Sequence, residues 1–275
     1  MSGRLPTSVS VVVVSYSVRP LLRGCLASLR EADEVVVVDN ASSDGSAAMV
    51  RDEFPGVRLI PLAENRGFSA AVNIGARATT GSLILLLNPD AKVLPGGIDA
   101  MRRQMQRRPD AAAIGCRQVD DNGDFQLTIG PPPSLLLELV RMVVQRRLDG
   151  GDRRLARGLD RLLSRSRAVP WVAGSCLVVR REAFEGVGGF DERFFLFFED
   201  IDFCLRLPAQ GGRVYYVPSI TVLHRRGRSA AEVPGLAARA YRESQLWFWE
   251  KHRGPRIARV VAAYQRWRGV SAQAG

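Results

Sequence analysis

The sequence predicts an α/β protein: a mostly parallel sheet flanked by helices. Two observations lead there. The run Ser-Val-Ser-Val-Val-Val-Val at 8–14 is unbroken, and the pattern returns at Val35 to Val38 and at Leu83 to Leu87; continuous rather than alternating apolarity marks strands buried on both faces. Helix-compatible stretches, Arg19 to Arg30 and Ser69 to Ala78, lie between these runs, and strands alternating with helices give parallel sheets with right-handed crossovers. At 275 residues the chain can bury one full α/β core with insertions.

The second half is less regular. Gly130-Pro131-Pro132-Pro133 breaks the chain, and Ser134 to Arg167 predicts one or two basic helices. Trp171 to Arg180 reads as a strand with Gly174-Ser175 inside it, where backbone or ligand can approach closely. Glu199 to Arg206 has the acidic start of a helix, favoured by the helix dipole. Val214 to Val222 is a further strand, followed by His224 and Gly227-Arg228-Ser229. The aromatic run Phe194, Phe195, Phe197 and Phe198 reads mainly as core, with an acceptor-pocket wall as the alternative.

With 46% hydrophobic and 24% charged residues, the composition is that of a folded globular protein and excludes general disorder. Cys25, Cys116, Cys176 and Cys204 form no CxxC pair, which leaves small buried thiols in a reducing compartment. The N-terminal apolar run is too short for a secretory leader, and no segment approaches the ~20 apolar residues of a membrane span. A cytoplasmic location is expected. The net charge of +11 is unevenly placed: 141–167 holds nine arginines against three aspartates, and 224–275 eleven Lys or Arg against three glutamates. Such charge suits nucleic acid, an anionic membrane surface or a diphosphate-bearing substrate. No recognition helix, RNA-binding aromatic motif or zinc finger is visible, so no nucleic-acid partner is expected and a basic nucleic-acid-binding or membrane-adaptor protein is the remote alternative. At a membrane, Trp247, Phe248, Trp249 and Trp267 would be the interfacial anchors.

Ligands of parallel sheets sit at the carboxyl ends of the strands. Those exits carry Ser15-Tyr16, then Asp39-Asn40-Ala41-Ser42-Ser43-Asp44-Gly45-Ser46, then Asn88-Pro89-Asp90. Each taken singly could be a turn or a helix cap. Three on one rim suggest a site.

In order, Val-Asp-Asn-Ala-Ser-Ser-Asp-Gly-Ser at 38–46, Glu-Asn-Arg-Gly-Phe-Ser-Ala-Ala-Val-Asn-Ile-Gly at 64–75, Leu-Asn-Pro-Asp at 87–90 and Phe-Asp-Glu-Arg-Phe-Phe at 190–195, running into Glu-Asp-Ile-Asp, resemble glycosyltransferase family 2 and its bacterial rhamnosyltransferase-type branch. The resemblance covers about 8–229. It implies the GT-A fold, a Rossmann-like nucleotide-diphospho-sugar transferase sheet. The implied catalytic domain is 1–229, with a nucleotide-sugar half at 1–100, an acceptor half at 101–229 and a basic helical insertion near 134–168. A basic C-terminal helical segment follows at 230–275.

The implied activity is inverting transfer from a dTDP- or UDP-linked donor. The leading expectation is rhamnose from dTDP-rhamnose, moved to a saccharide or polyprenyl-diphosphate-linked saccharide in bacterial envelope assembly, with a peripheral place at the cytoplasmic face of the inner membrane. A UDP-hexose or UDP-N-acetylhexosamine transferase is the alternative on the same scaffold. By family position Asp90 is the main ligand of a divalent Mg²⁺ or Mn²⁺, with His224 as second ligand. Hard oxygen donors suit both ions, and Mn²⁺ also accepts imidazole. Asn88 stands where the family has an acid and can contact ribose. Asp39 can accept the imide N–H of uracil or thymine, Tyr16 packs against the base, and Arg66 lies near base or diphosphate. Ser15, Asn40, Asp44 and Asn73 complete the nucleotide-sugar set. Asp200 is the implied catalytic base, with Glu199 and Asp202 as alternatives, because clustered acids raise one another's pKa. Gly174, Ser175 and Glu199 are the acceptor-binding candidates.

Overall fold

The structure is a computed structural model that describes residues 7–225 and 234–273. Strand β1 (Val9–Ser15) is buried along its whole length. It pairs in parallel with β2 (Glu34–Asp39) on one side and β4 (Leu83–Leu87) on the other, and β3 (Arg58–Pro61) continues the parallel run beyond β2. The order therefore reverses at β1, which opens a crevice at the carboxyl ends of β1 and β4. The remaining strands are β5 (Ala91–Val93), β6 (Ala111–Val119), β7 (Phe125–Gln126), β8 (Ile129–Gly130), β9 (Arg167–Ala168), β10 (Trp171–Val172), β11 (Cys176–Arg180) and β12 (Arg213–His224). They complete a sheet of order β3-β2-β1-β4-β11-β6-β12-β5, with β7 beside β6 and β9 beside β12; β8 and β10 form a separate pair. Strand β11 is antiparallel to β4 and β6, whereas β12 is parallel to β6.

Alternate residues of β1 feed two cores, which is why the run is apolar without interruption. On one face Val12 and Val14 pack with Val36, Val38 and Leu86 beneath Ala71, Val72 and Ala76 of α3 (Phe68–Arg77). On the other, Val11 and Val13 pack with Val37 and Leu85 against α1 (Arg19–Leu26), α2 (Ser46–Glu53) and α4 (Gly97–Arg107), through Leu22, Met49, Met101 and Met105. The basic region forms two helices, α5 (Leu135–Asp149) and α6 (Arg153–Leu162), capped by the Ser134 and Asp152 side chains. Four more helices follow: α7 (Arg181–Gly186), α8 (Glu199–Arg206) and the C-terminal pair α9 (Pro234–Arg253) and α10 (Pro255–Gln273). The segment Gly227-Arg228-Ser229 lies outside the described residues.

Several boundaries differ from the sequence reading. Helix α1 stops at Leu26, because the Ser28 hydroxyl donates to the Cys25 carbonyl at 2.6 Å and competes with the helical ladder. The expected strand Trp171 to Arg180 is broken in two, since Ala173–Ser175 leave the sheet to meet α8. Phe248 and Trp249 are not membrane anchors but core, 1% and 2% exposed. Trp247 is committed too: its ring lies 3.2 Å from the Arg193 guanidinium, and its indole N–H donates to Asp191. The four cysteines are buried and unpaired. Burial pushes the Cys204 thiol up to about 12, far from the reactive thiolate range.

Candidate active site

A cleft of ≈ 320 Å³ opens where β1, β2 and β4 end. Its walls come from Tyr16, Asn40, Asn88, Asp90, Gly174, Ser175, Glu199, Asp200 and His224, together with Phe195 and Phe197 and with Leu236 and Ala237 of α9. The chain leaves β1 and β2 through left-handed residues, Ser17 (φ 51°) and Ala41 (φ 67°), a conformation costly for side chains other than glycine. Ser15 and Asp39 stand opposite each other in the strand register. Asp39 Oδ2 accepts the Ser42 N–H at 3.1 Å, but Asp39 Oδ1 and Ser15 Oγ are buried without a partner. Buried polar atoms are rarely left unpaired, and these two lie at the strand ends just behind the cleft wall, whose lining includes Tyr16 and Asn40 but neither Ser15 nor Asp39. Asn40 braces the next loop by donating to Asn65 Oδ1 at 2.8 Å and accepting the Arg66 N–H at 2.9 Å.

Across β5 and β12, His224 Nε2 stands 3.2 Å from Asp90 Oδ1, and neither atom has a hydrogen-bond partner although both residues are buried. Gln126 explains why. Its amide nitrogen donates to the His224 carbonyl at 2.8 Å, so its oxygen is the atom facing His224 Nδ1 at 3.0 Å. A neutral ring with its proton on the Nδ1 that faces this oxygen turns the Nε2 lone pair toward the Asp90 carboxylate. Two electron-pair donors aimed at each other are the arrangement a divalent cation satisfies. No group of three or more protein ligands gathers among the described residues. The residues thus fit a cation held partly by substrate diphosphate oxygens, as Mg²⁺ commonly is.

The other wall is acidic. Phe197 and Phe198 both have left-handed backbones (φ 70° and 67°), and this turn delivers Glu199 and Asp200 to the start of α8. Asp200 Oδ2 accepts the Gly174 N–H and Oδ1 the Ile201 N–H, each at 2.8 Å. Burial raises the Asp200 pKa, while these two amides and the Arg141 charge oppose the rise. Glu199 has no such donors on Oε2; burial and the neighbouring Asp200 charge drive its pKa well above the carboxylate range. The two environments differ: two amide donors and a nearby guanidinium favour the charged form of Asp200, whereas burial and the Asp200 charge push Glu199 toward its neutral form.

The pattern of Glycosyl transferase family 2 matches residues 10–188. The chain belongs to glycosyltransferase family 2. The pattern of Glycosyl transferase family group 2 also matches this transferase, at residues 152–268. It is 36% identical over 260 residues, 89% of this chain and 85% of the relative, to an N-acetylglucosaminyl-diphospho-decaprenol L-rhamnosyltransferase of Mycobacterium tuberculosis. Over a shorter stretch of 56 residues, 20% of this chain and 21% of the relative, it is 48% identical to rhamnosyltransferase WbbL of Escherichia coli. Among solved structures it resembles mannosyltransferase PcManGT from Pyrobaculum calidifontis in complex with GDP-Man and Mn²⁺, with TM-score 0.56, 21% identity and coverage of 97% of this chain and 75% of that one. It also resembles S. aureus TarS 1–349 in complex with UDP-GlcNAc, with TM-score 0.56, 16% identity and coverage of 86% and 65%. At these identities the likeness shows the fold, which is GT-A.

Not every residue singled out in the transferase's sequence reaches the cleft. Asp44 is spent inside its own loop, where its oxygens accept the Arg19 N–H and the Ser46 N–H and hydroxyl. Asn73 bonds both ways with the backbone of Phe190, tying α3 to the 189–192 loop. Asp202 points away from Asp200 and is fully buried among Arg206, Lys251 and His252; hydrogen bonds from His252 and Lys251 hold its carboxyl below the usual range against the burial that would raise it. It is a structural anion, not a competing base. The Arg66 side chain is exposed and is not part of the cleft wall. The aromatic run divides, with Phe194 and Phe198 in the core and Phe195 and Phe197 on the cleft. Sequence reasoning missed Gln126, and also Gln118, which accepts from the Ser175 hydroxyl at 2.9 Å. Neither carries a motif, and only the fold brings them to the site.

Proposed function

We propose that the protein is an inverting transferase that moves rhamnose from dTDP-rhamnose to N-acetylglucosamine carried on a polyprenyl diphosphate, in bacterial envelope polysaccharide assembly. The observation that carries the reading is the pairing of Asp90 Oδ1 with His224 Nε2 across the cleft from Asp200. The mycobacterial relative supports the sugar and the acceptor class. Asp39 Oδ1 accepts the thymine imide N–H with Ser15 beside it, Tyr16 packs on the base, Asn88 contacts the ribose, and Arg66 reaches the diphosphate from the rim. Asp90 and His224 would hold Mg²⁺ or Mn²⁺ with the diphosphate, and the cation would offset the negative charge that develops on the departing dTDP.

Asp200 accepts the proton of the acceptor hydroxyl as that oxygen attacks the anomeric carbon from the face opposite the leaving group. The new C–O bond forms while the bond to the phosphate oxygen breaks, and its electron pair leaves with the diphosphate. Glu199, holding its proton, donates a hydrogen bond to the acceptor sugar, and Gly174 and Ser175 border its path. No described helix is long and apolar enough to cross a membrane; the basic helices meet an anionic surface at the cytoplasmic face. The test is radiolabel transfer to a synthetic polyprenyl-diphosphate N-acetylglucosamine, from dTDP-rhamnose and from UDP-hexoses and UDP-N-acetylhexosamines, with Mg²⁺, Mn²⁺ or chelator. Transfer from dTDP-rhamnose alone, lost with chelator and giving the inverted anomer, is expected. Preference for a UDP-sugar would sink the donor assignment.

A further inference from the structure

A helix on the surface of a globular domain turns its apolar residues inward. Helix α5 also turns an aliphatic stripe outward. Leu136, Leu139, Val140 and Val143 are 71%, 50%, 53% and 59% exposed and share one side of the helix at 100° per residue, while no residue of α5 is buried. The inward side carries only partly buried contacts, Leu135 and Leu148 against the core, together with a polar pair. Glu138 and Arg141 form a two-pronged pair at 2.6 and 2.8 Å, and the Arg141 charge acts on Asp200.

The outward stripe runs on as Arg146 and Arg147, and then onto α6, where Arg153, Arg154, Arg157 and Arg161 are exposed. Ala156 and Leu163 pack into the core, which turns Arg154 and Arg161 on the opposite side of α6 outward, while Asp160 at the flank grips Arg117 of β6 with two bonds of 2.7 Å. Tyr241 of α9 interacts with Glu138 and Arg141 of α5 and with Tyr264 of α10. Helix α10 adds exposed Val260 and Trp267.

We infer that the outward stripe of α5, ringed by the arginines of α6, is the face on which the protein lies against an anionic phospholipid bilayer. The aliphatic side chains enter the boundary between headgroups and acyl chains, and the guanidinium groups meet lipid phosphates. The inference deepens the reading of a polyprenyl-linked acceptor and rests on it for its purpose, though not for its geometry. The acceptor's polyprenyl tail stays in the bilayer while its sugar reaches the cleft, and α5 spans the two, with aliphatic residues on the lipid side and Arg141 toward Asp200. A second copy of the chain is a poorer occupant, since it would bring two sets of arginines together. A nucleic acid would leave the aliphatic stripe uncovered.

Cosedimentation of the full chain with vesicles of phosphatidylglycerol or phosphatidylcholine tests this without donor or acceptor, so its failure and the failure of the transferase reading are separable. The chain is expected to bind phosphatidylglycerol vesicles about tenfold or more tightly than phosphatidylcholine. Leu139→Glu/Val143→Glu should lower that binding by about tenfold or more, and Arg154→Glu/Arg161→Glu should weaken it and flatten its salt dependence. Calorimetry with dTDP and UDP should give the parent's affinities for both variants, which also shows that they fold. Equal vesicle binding by parent and Leu139→Glu/Val143→Glu overturns the inference. So does a dimer that this variant splits, or arginine-dependent RNA binding without vesicle binding.

Discussion

Glu199 and Asp200 are adjacent acids that differ in their donors: two backbone amides for Asp200, none for Glu199 Oε2. Asp200→Asn should therefore lower kcat by about 10²–10⁴-fold with nucleotide affinity unchanged; an active Asp200→Asn beside an inactive Glu199→Gln would exchange the roles. Because burial raises Asp200, the base is lost to protonation at a pH above the ordinary aspartate range as pH falls. The acid limb of kcat should lie there, and Glu199→Gln, which replaces a protonated acid by a neutral amide, should leave its position unchanged in a kcat–pH profile. Gln126 acts through His224, because the amide oxygen it turns toward Nδ1 favours a proton there. Gln126→Ala should weaken Mn²⁺ binding about 10–100-fold, read by electron paramagnetic resonance of free Mn²⁺, with nitrogen NMR reporting a mixed His224 tautomer. Motif order singled out Asp90 and Asp200, which line the cleft, whereas Asp44 and Asn73, in the same motifs, hold loops.

Among the elements, the break between β10 and β11 makes the site. A Cβ on Gly174 would come within 3.2 Å of Asp200 Cβ, so only glycine lets its N–H reach the carboxylate without displacing it. Gly174→Ala is expected to reduce kcat by about tenfold to a hundredfold while the donor KM stays the same, and an equal loss in donor binding would contradict a purely positioning role. Gly67 (φ 82°) does similar work for the opposite loop, where a Cβ would lie 2.7 Å from the Phe195 carbonyl oxygen. Strands β1, β2 and β4 were readable from their Val and Leu runs. Strand β6 was not, since Ala-Ala-Ala-Ile-Gly-Cys has little intrinsic strand preference and becomes a strand through burial between β11 and β12.

For the whole molecule, Asp202 joins the catalytic core to the C-terminal helix. It bonds Arg206 of its own helix at 2.8 Å and Lys251 and His252 of α9 at 2.7 and 2.9 Å, while α9 in turn supplies Leu236 and Ala237 to the cleft. Its folded pKa is lowered, so the stability it contributes is present above the unfolded carboxylate pKa and is lost as pH falls through the lower folded value. Asp202→Asn should reduce the unfolding free energy at neutral pH by up to about 3 kcal/mol, and the gap from the parent should close in acid. Urea titrations at several pH values measure both. A variant as stable as the parent at neutral pH would mean that the network contributes nothing net.

The sequence by itself determined the α/β class, the three strand exits and the motif order that led to the family, because burial on both faces and turn chemistry are written in neighbouring residues. Only the tertiary structure decided which polar residues share a cleft. It turned Asp202 away from Asp200, set Gln126 behind His224 and faced the aliphatic side of α5 outward. Each of these outcomes depends on packing between segments far apart in the chain, and composition and local periodicity carry no record of such distances.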